Sequence, residues 1–255
     1  MLNLPALIIS EKYSDSNEAN SLKKRFPAAK TYDEHFYLSF DEYGLSLHTG
    51  EYVLRGDFSH MLHRIKASNM THELLVKAAK IKGADRQLLA VDATAGLGED
   101  SLILAAAGFE VILYERNPVI FELLADALNR AAQIAELSDI VNRMKLFNED
   151  SIYAMKNMQQ HPDVILLDPM FPERQKSSLV RKKLQVLQKL EMPCLDEYEM
   201  IITAMAASPR KLIIKRPLKG PYLADIKPDY SLTGKAVRFD CFISPADRLH
   251  KFDKK

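Results

Sequence analysis

The sequence predicts an α/β fold of the Rossmann-like, doubly wound kind, with a mostly parallel sheet and a small β-rich N-terminal domain. Three observations predict it. Strands alternate with helices after residue 83, a glycine pair follows the first of those strands, and residues 36–58 read as short strands separated by turns. The expected division is 1–65 for the small domain and 66–255 for the large one.

The composition excludes several protein classes. The chain has 255 residues, 47% of them hydrophobic, with 35 basic and 34 acidic side chains, enough for a substantial core and unlike a disordered or coiled-coil protein. Cys194 and Cys241 cannot form a disulfide framework or a four-thiolate zinc site, which predicts a reducing cytoplasm. No apolar run approaches the roughly 20 residues of a membrane span. We therefore expect no membrane partner and no metal.

The N-terminal elements come first along the chain. The apolar stretch 1–10 predicts a strand, and 36–58 predicts a hairpin or meander. Apolar residues at helical spacing predict a helix over 71–82, with Thr71 as its cap and Gly83 at its end.

The alternating region follows. Strands are predicted at 88–94, 111–115, 144–148, 163–168, 211–215 and 237–243. Helices are predicted after the glycine pair as far as 107, over 118–137, shortly after 148, around 176–189 and near 196–207. Because a strand, a crossing helix and a second strand give parallel neighbours, this order predicts a parallel sheet with helices on both faces.

A glycine pair, Gly96 and Gly98, follows the first strand of this region. Two glycines one residue apart at a strand-to-helix turn let a ligand approach the backbone amides. A dinucleotide fingerprint needs a third glycine at position 101, where the chain has Ser101. Asp92, four residues before Gly96, adds the mark of the S-adenosylmethionine pattern. We therefore expect S-adenosylmethionine as cofactor, and an ordinary tight turn is the alternative.

Acidic residues also follow the next two strands. Glu115 lies 19 residues after Gly96, near the roughly 20-residue offset at which an acid meets the ribose hydroxyls of a bound nucleoside. Asp150 and Ser151 follow the third strand, where a side chain can hydrogen-bond the adenine amine. A solvated acid at a strand end is the alternative in each case.

The loop Asp168-Pro169-Met170-Phe171-Pro172 follows the fourth, wholly apolar strand. It resembles the Asp/Asn-Pro-Pro-aromatic signature of methyltransferases that act on exocyclic or amide nitrogens, with Met170 in place of the second proline. A conjugated amine is a weak nucleophile until acceptors hold its N–H groups, and the Asp168 carboxylate and Pro169 carbonyl can supply them. Phe171 can stack on the base. A proline-stiffened turn is the alternative.

These motifs and their surroundings resemble the RsmJ-type ribosomal RNA small-subunit methyltransferases. The similar segments are DATAGLGEDS (92–101), LYERNP (113–118), 166–183 and 213–217. The resemblance implies a seven-stranded sheet and methylation of a guanine 2-amino group in small-subunit (16S) ribosomal RNA. The implied partner is that RNA or the assembled small subunit, with no obligatory protein partner. The implied cofactor residues are Glu99, Asp100, Glu115, Arg116, Asp150, Ser151 and Asp168.

Basic residues are concentrated in the second half. Six basic residues face one acidic residue within 173–189, and eight face two within 205–238. Because these groups follow strand ends on the crevice side, we expect them to contact phosphates, although a charge run is more often a solvated helix face. The candidates for RNA contact are His63, Arg64, Arg174, Lys176, Arg181, Lys182, Lys183, Lys215 and Arg216.

Two other functions stay open at this point. One is an amino-methyltransferase for adenine in DNA or glutamine in a protein, since both use a related loop. The basic cluster disfavours the protein substrate. The other is a non-catalytic RNA-binding module of the same fold, which a cofactor-binding titration would distinguish from an enzyme.

Overall fold

The structure, a computed structural model, describes residues 4–26, 35–50, 52–169 and 197–251. Its strands form a four-stranded sheet near the N-terminus and a seven-stranded sheet in the rest of the chain.

The small sheet has the order β1-β2-β3-β4. Its elements are β1 (Ala6–Ile9), α1 (Asn17–Arg25), β2 (Phe36–Asp41), β3 (Gly44–Thr49) and β4 (Tyr52–Leu54). β1 is parallel to β2, and the other neighbours are antiparallel. The predicted first strand and the predicted meander over 36–58 are both confirmed.

The large sheet has the order β10-β11-β9-β8-β5-β6-β7. Its strands are β5 (Leu89–Asp92), β6 (Glu110–Tyr114), β7 (Met144–Phe147), β8 (Val164–Leu167), β9 (Lys211–Pro217), β10 (Tyr230–Thr233) and β11 (Val237–Ile243). β11 is antiparallel to both of its neighbours, and the other pairs are parallel. The doubly wound, mostly parallel, seven-stranded sheet is confirmed.

Helices cover both faces of this sheet. They are α2 (Ala67–Met70), α3 (Leu74–Ala79), α4 (Glu99–Ala106), α5 (Pro118–Ala131), α6 (Ala135–Val141), α7 (Ser151–Lys156) and α8 (Glu197–Ala206). Side chains alternate along a strand, so Val164 and Leu166 of β8 lie in one core and Ile165 and Leu167 in the other. Within the described ranges, no helix has the length and apolar character to cross a membrane.

Two helix predictions are wrong in detail. The helix expected over 71–82 begins at Leu74, and Thr71 instead ends the one-turn helix α2. The helix expected over 118–137 is two helices, because Ile134 has extended backbone at φ −99° and ψ 120°. No glycine or proline marks that break, so apolar spacing alone cannot reveal it. The helix predicted over 176–189 lies outside the described residues.

The small sheet and α5 share one core. Leu45 and Leu47 of β3 pack with Ile120 and Leu123 of α5, and the same buried cluster includes Leu97 in the glycine loop. This cluster crosses residue 65. The division into domains 1–65 and 66–255 stays a prediction.

Candidate active site

The glycine loop joins β5 to α4. Gly96 has φ +54° and Gly98 has φ +76°, both in the left-handed region that favours glycine. A Cβ on residue 98 would lie 2.7 Å from Cδ1 of Leu124, so packing as well as backbone conformation excludes a side chain there. A Cβ on residue 96 would meet nothing within 4 Å. Gly96 therefore borders open space in which a ligand can approach the loop.

Glu115 lies beside this loop, immediately after β6, and is 5% exposed. Its Oε2 accepts a hydrogen bond from the Gly96 N–H at 3.0 Å, and its Oε1 accepts one from the Asn117 N–H at 2.7 Å. Burial raises the pKa of Glu115 to about 7, against the opposing effect of these two N–H groups. Each carboxylate oxygen has a second lone pair, so Glu115 keeps acceptor capacity for two ribose hydroxyls.

Asp92 ties the loop to the helix. The carboxylate is 2% exposed; it accepts the Ser101 hydroxyl proton at 2.6 Å and the Thr94 N–H at 3.1 Å. Burial raises its pKa to about 7. The sequence predicts direct cofactor contact for Asp92, but its burial and its two bonds to the loop and α4 correct this to a role in shaping the loop.

Three charged groups meet at the carboxyl end of β8. Nζ of Lys215 in β9 lies 2.5 Å from Oδ2 of Asp100 in α4 and 3.0 Å from Oδ2 of Asp168, the residue after β8. Burial acts to lower the pKa of Lys215, but the carboxylates of Asp168 and Asp100 outweigh it and raise that pKa. Partial burial raises the pKa of Asp168, and Lys215 opposes that effect. We call this arrangement the Asp100–Lys215–Asp168 cluster.

The position of Asp168 is also set through its backbone. Its N–H donates to the Thr94 hydroxyl at 2.6 Å, which connects the glycine loop to the end of β8. The Asp168 side chain is 39% exposed, so it is open to a substrate N–H despite its contact with Lys215. Pro169 beside it is buried.

The predicted residues after β6 and β7 also come together. Arg116 Nη1 lies 3.9 Å from Asp150 Oδ2. Oδ1 of Asp150 accepts the Ile152 N–H at 2.9 Å and so caps α7, of which Ser151 is the buried first residue. Asp150 therefore has a structural role that a strand-end acid in solvent would not have. Glu99, the first residue of α4, lies 3.5 Å from Nε2 of His60.

The predicted RNA-contact residues do not form one surface among the residues described. His63 is exposed, and the Arg64 guanidinium donates to both carboxylate oxygens of Glu73 at 2.7 and 2.8 Å. Arg216 is 1% exposed, and its Nε donates to the Pro221 carbonyl at 2.9 Å. The prediction of phosphate contact is therefore wrong for Arg216, because its guanidinium is enclosed by the protein. Lys215 is occupied by two carboxylates and does not fit that role either.

The remaining candidates lie outside the described residues, and their roles stay predictions. They are the proposed stacking residue Phe171 and the basic residues Arg174, Lys176, Arg181, Lys182 and Lys183.

Sequence reasoning missed three residues of this site. Ser101 is noted in the sequence only as an absent glycine, yet its hydroxyl binds Asp92. Thr94 and Lys215 are missed as partners of Asp168. For Ser101 a signal was present, because a small hydroxyl in the first turn of a helix can bond an acid in the strand before it. For Lys215 the pairing depends on two strands that are far apart in sequence.

The donor chemistry fits a nucleoside with a cationic portion. The open space at Gly96 lies beside an acid suited to ribose hydroxyls, and the cluster at β8 carries two carboxylates for one ammonium. The described parts of the chain contain no group of three His, Cys, Asp or Glu side chains that could hold a metal.

Comparisons with known proteins agree with this chemistry. A family model described as "Putative SAM-dependent methyltransferase" matches residues 21–244. The ribosomal RNA small subunit methyltransferase J of Actinobacillus pleuropneumoniae serotype 5b (strain L20) is 42% identical over 185 residues, 72% of this chain and 73% of the relative. The protein of that name from Shewanella sp. (strain ANA-3) is 38% identical over 221 residues, 84% of each chain. The crystal structure of a SAM-dependent methyltransferase from Neisseria gonorrhoeae matches with a TM-score of 0.74 and 27% identity, over 94% of this chain and 96% of that one.

Proposed function

The chain belongs to the ribosomal RNA small subunit methyltransferase J family of SAM-dependent methyltransferases, and from that premise we propose that it methylates small-subunit (16S) ribosomal RNA. The methyl acceptor is the exocyclic 2-amino group of a guanine. The partner is that RNA, free or in the assembled small subunit, in the cytoplasm.

One observation carries the choice of an amino group as acceptor. Asp168 follows β8 with its side chain 39% exposed and one oxygen held 3.0 Å from Lys215 Nζ. A fixed carboxylate at this place accepts a hydrogen bond from an N–H of the target amine. A hydroxyl or carbon acceptor would need no such pairing with the amine protons.

The residues of this chain bind and orient the two reactants. S-adenosylmethionine supplies, when bound, a methyl group on a positively charged sulfur. Glu115 accepts the ribose hydroxyls beside Gly96. Asp168 holds an amine N–H so that the nitrogen lone pair is directed at the methyl group, and most of the rate enhancement comes from this positioning. An ionised Asp168 can also accept the proton that the amine loses after transfer.

The proposed substrate imposes a condition on the RNA. The 2-amino group of a guanine paired in a stem is engaged with cytosine, so the target base must be unpaired or rotated out of the helix. Rotation out of a stacked stem costs a few kcal/mol. We therefore expect the rate to depend on how the RNA is folded in the subunit.

Nucleoside mass spectrometry tests the proposal. Small-subunit RNA from cells that lack this protein should lose one N2-methylguanosine, and purified protein with S-adenosylmethionine should restore it. The Asp168→Asn protein is the matched control and should restore none. Methylation of adenine in DNA, of glutamine in protein, or binding of RNA without methyl transfer would contradict the proposal and support one of the alternatives.

A further inference from the structure

Lys215 contacts both acids at the mouth of the candidate active site, and no role in the reaction has yet been given to it. We propose that Lys215 is a positioning residue for methyl transfer, which holds the Asp168 carboxylate ionised and fixed against Asp100 so that it can accept a hydrogen bond from the target amine. This inference rests on the proposed function, since it assigns Lys215 a part in the same reaction.

The register of the sheet brings Lys215 to this place. Leu167 of β8 is paired with Ile214 of β9 in a parallel ladder. The next residues along the two strands are Asp168 and Lys215, so both leave the sheet at the same edge. The Lys215 side chain is 25% exposed and Nζ reaches Asp100 at 2.5 Å as well as Asp168 at 3.0 Å. An ammonium with three N–H donors can satisfy both carboxylates at once.

The cluster is needed because acids outnumber cations around Asp168. Asp100 raises the pKa of Asp168, whereas Lys215 and then Arg216 lower it. Asp92 beneath the loop is a third acid, and both Asp100 and Asp168 raise its pKa. The charges around Arg216 are Glu197 of α8 and Arg238 and Asp240 of β11.

Loss of Lys215 would leave Asp100 and Asp168 close together without the ammonium that both contact. Two like charges at short range cannot both stay ionised at low cost, so one carboxyl group takes up a proton at a higher pH than before. A protonated Asp168 has lost acceptor capacity for the amine. The rate should therefore fall at neutral pH and recover as the pH is raised. A lysine that only ties α4 to β9 would instead change the rate by the same factor at every pH.

The test is the pH dependence of single-turnover methyl transfer on small-subunit particles with saturating S-adenosylmethionine. In Lys215→Met and in Lys215→Gln, which keeps a hydrogen-bond donor, the acidic limb should move to higher pH, with about a tenfold loss of rate for each unit of displacement. Lys215→Arg, which keeps the charge, should restore most of the wild-type profile. Lys211→Met is the matched control. Lys211 is also in β9, but its Nζ donates to the carbonyls of Ala78 and Lys80, so its loss should leave the profile unchanged.

A second measurement needs no substrate. In cofactor-free protein with 13C-labelled aspartate, the Asp168 carboxyl signal, assigned with Asp168→Asn, should titrate at higher pH in Lys215→Gln than in the wild type. An unchanged Asp168 titration, or a pH-independent loss of rate in both uncharged variants, would overturn the role of Lys215. Failure of the wild-type protein to methylate the particles would overturn the proposed function, and the carboxyl titration would still decide the electrostatic role of Lys215.

Discussion

The Glu115 carboxylate binds the backbone of Gly96, with Oε2 3.0 Å from the glycine nitrogen. Its other oxygen binds the N–H of Asn117, just before α5. The acid expected to bind the ribose therefore also fixes the loop that the cofactor approaches. Cofactor affinity and loop conformation depend on the same side chain.

We expect Glu115→Ala to weaken S-adenosylmethionine binding about tenfold or more. Hydrogen bonds to a charged acceptor contribute roughly 1.5 to 3 kcal/mol, and the variant also loses the anchor of Gly96. Isothermal titration calorimetry on the folded variant gives the affinity. Glu110→Ala, at the opposite end of β6, is the control and should bind like the wild type. Equal affinity in Glu115→Ala would remove Glu115 from the cofactor site.

Asp168→Asn should slow methyl transfer by about 100-fold or more, as expected for loss of a preorganised charged group. Asparagine keeps the size of the side chain, so thermal unfolding should change little. Single-turnover rates with bound RNA measure the effect on the reaction. Near-normal rates would show that Asp168 is not the acceptor for the amine.

Gly98→Ala should destabilise the protein by about 2 kcal/mol or more, because left-handed backbone and a contact in a packed core each add a cost. The new Cβ would lie 2.7 Å from Leu124 Cδ1. Gly83→Ala has the same backbone problem at φ +67° but meets nothing within 4 Å, so it should lose less stability in urea unfolding. Gly96→Ala should resemble Gly83→Ala in stability but bind S-adenosylmethionine more weakly. A Gly98→Ala protein as stable as Gly83→Ala would contradict the packing argument.

Stability of the cofactor-free protein should fall as pH rises toward neutrality. Burial raises the pKa of Asp92 from 3.8 and that of Glu115 from 4.5, each to about 7. Between these limits the folded state binds more protons than the unfolded state, so the free energy of unfolding decreases with increasing pH. Urea unfolding across this range measures the slope, and Asp92→Asn should flatten it. A slope that is identical in wild type and Asp92→Asn would rule out a contribution from Asp92.

The salt dependence of RNA binding should separate phosphate contact from base stacking. Replacing Lys182 and Lys183 by Ala should reduce the slope of log affinity against log salt by a little under one for each lost phosphate contact. Phe171→Ala should weaken binding by about 1 to 3 kcal/mol without changing the slope. Filter binding over a range of salt concentrations measures both. An unaffected slope in the double lysine variant would indicate a solvated charge run.

The sequence predicts best what depends on neighbours along the chain. The apolar run of β8 and the Gly96–Gly98 turn announce their structures locally, and both lie where expected. The four-residue strand β10 is not predicted, since its pairing with β11 is tertiary and its own apolar content is small. Lys215 and Arg216 show the same limit for the site. Adjacent residues of a strand point to opposite faces, so a run of two basic residues gives one ion pair with acids and one enclosed guanidinium.

The core shared by β3 and α5 has a consequence for synthesis on the ribosome. Leu45 and Leu47 emerge long before Ile120 and Leu123, the residues that cover them. A small sheet with one apolar face uncovered is only marginally stable in water, so the nascent N-terminal segment remains dependent on chain that has yet to be translated. The same arrival of α5 that completes the small sheet also brings Leu124 against Gly98. Completion of the first sheet and shaping of the nucleoside-binding loop are therefore one cotranslational event.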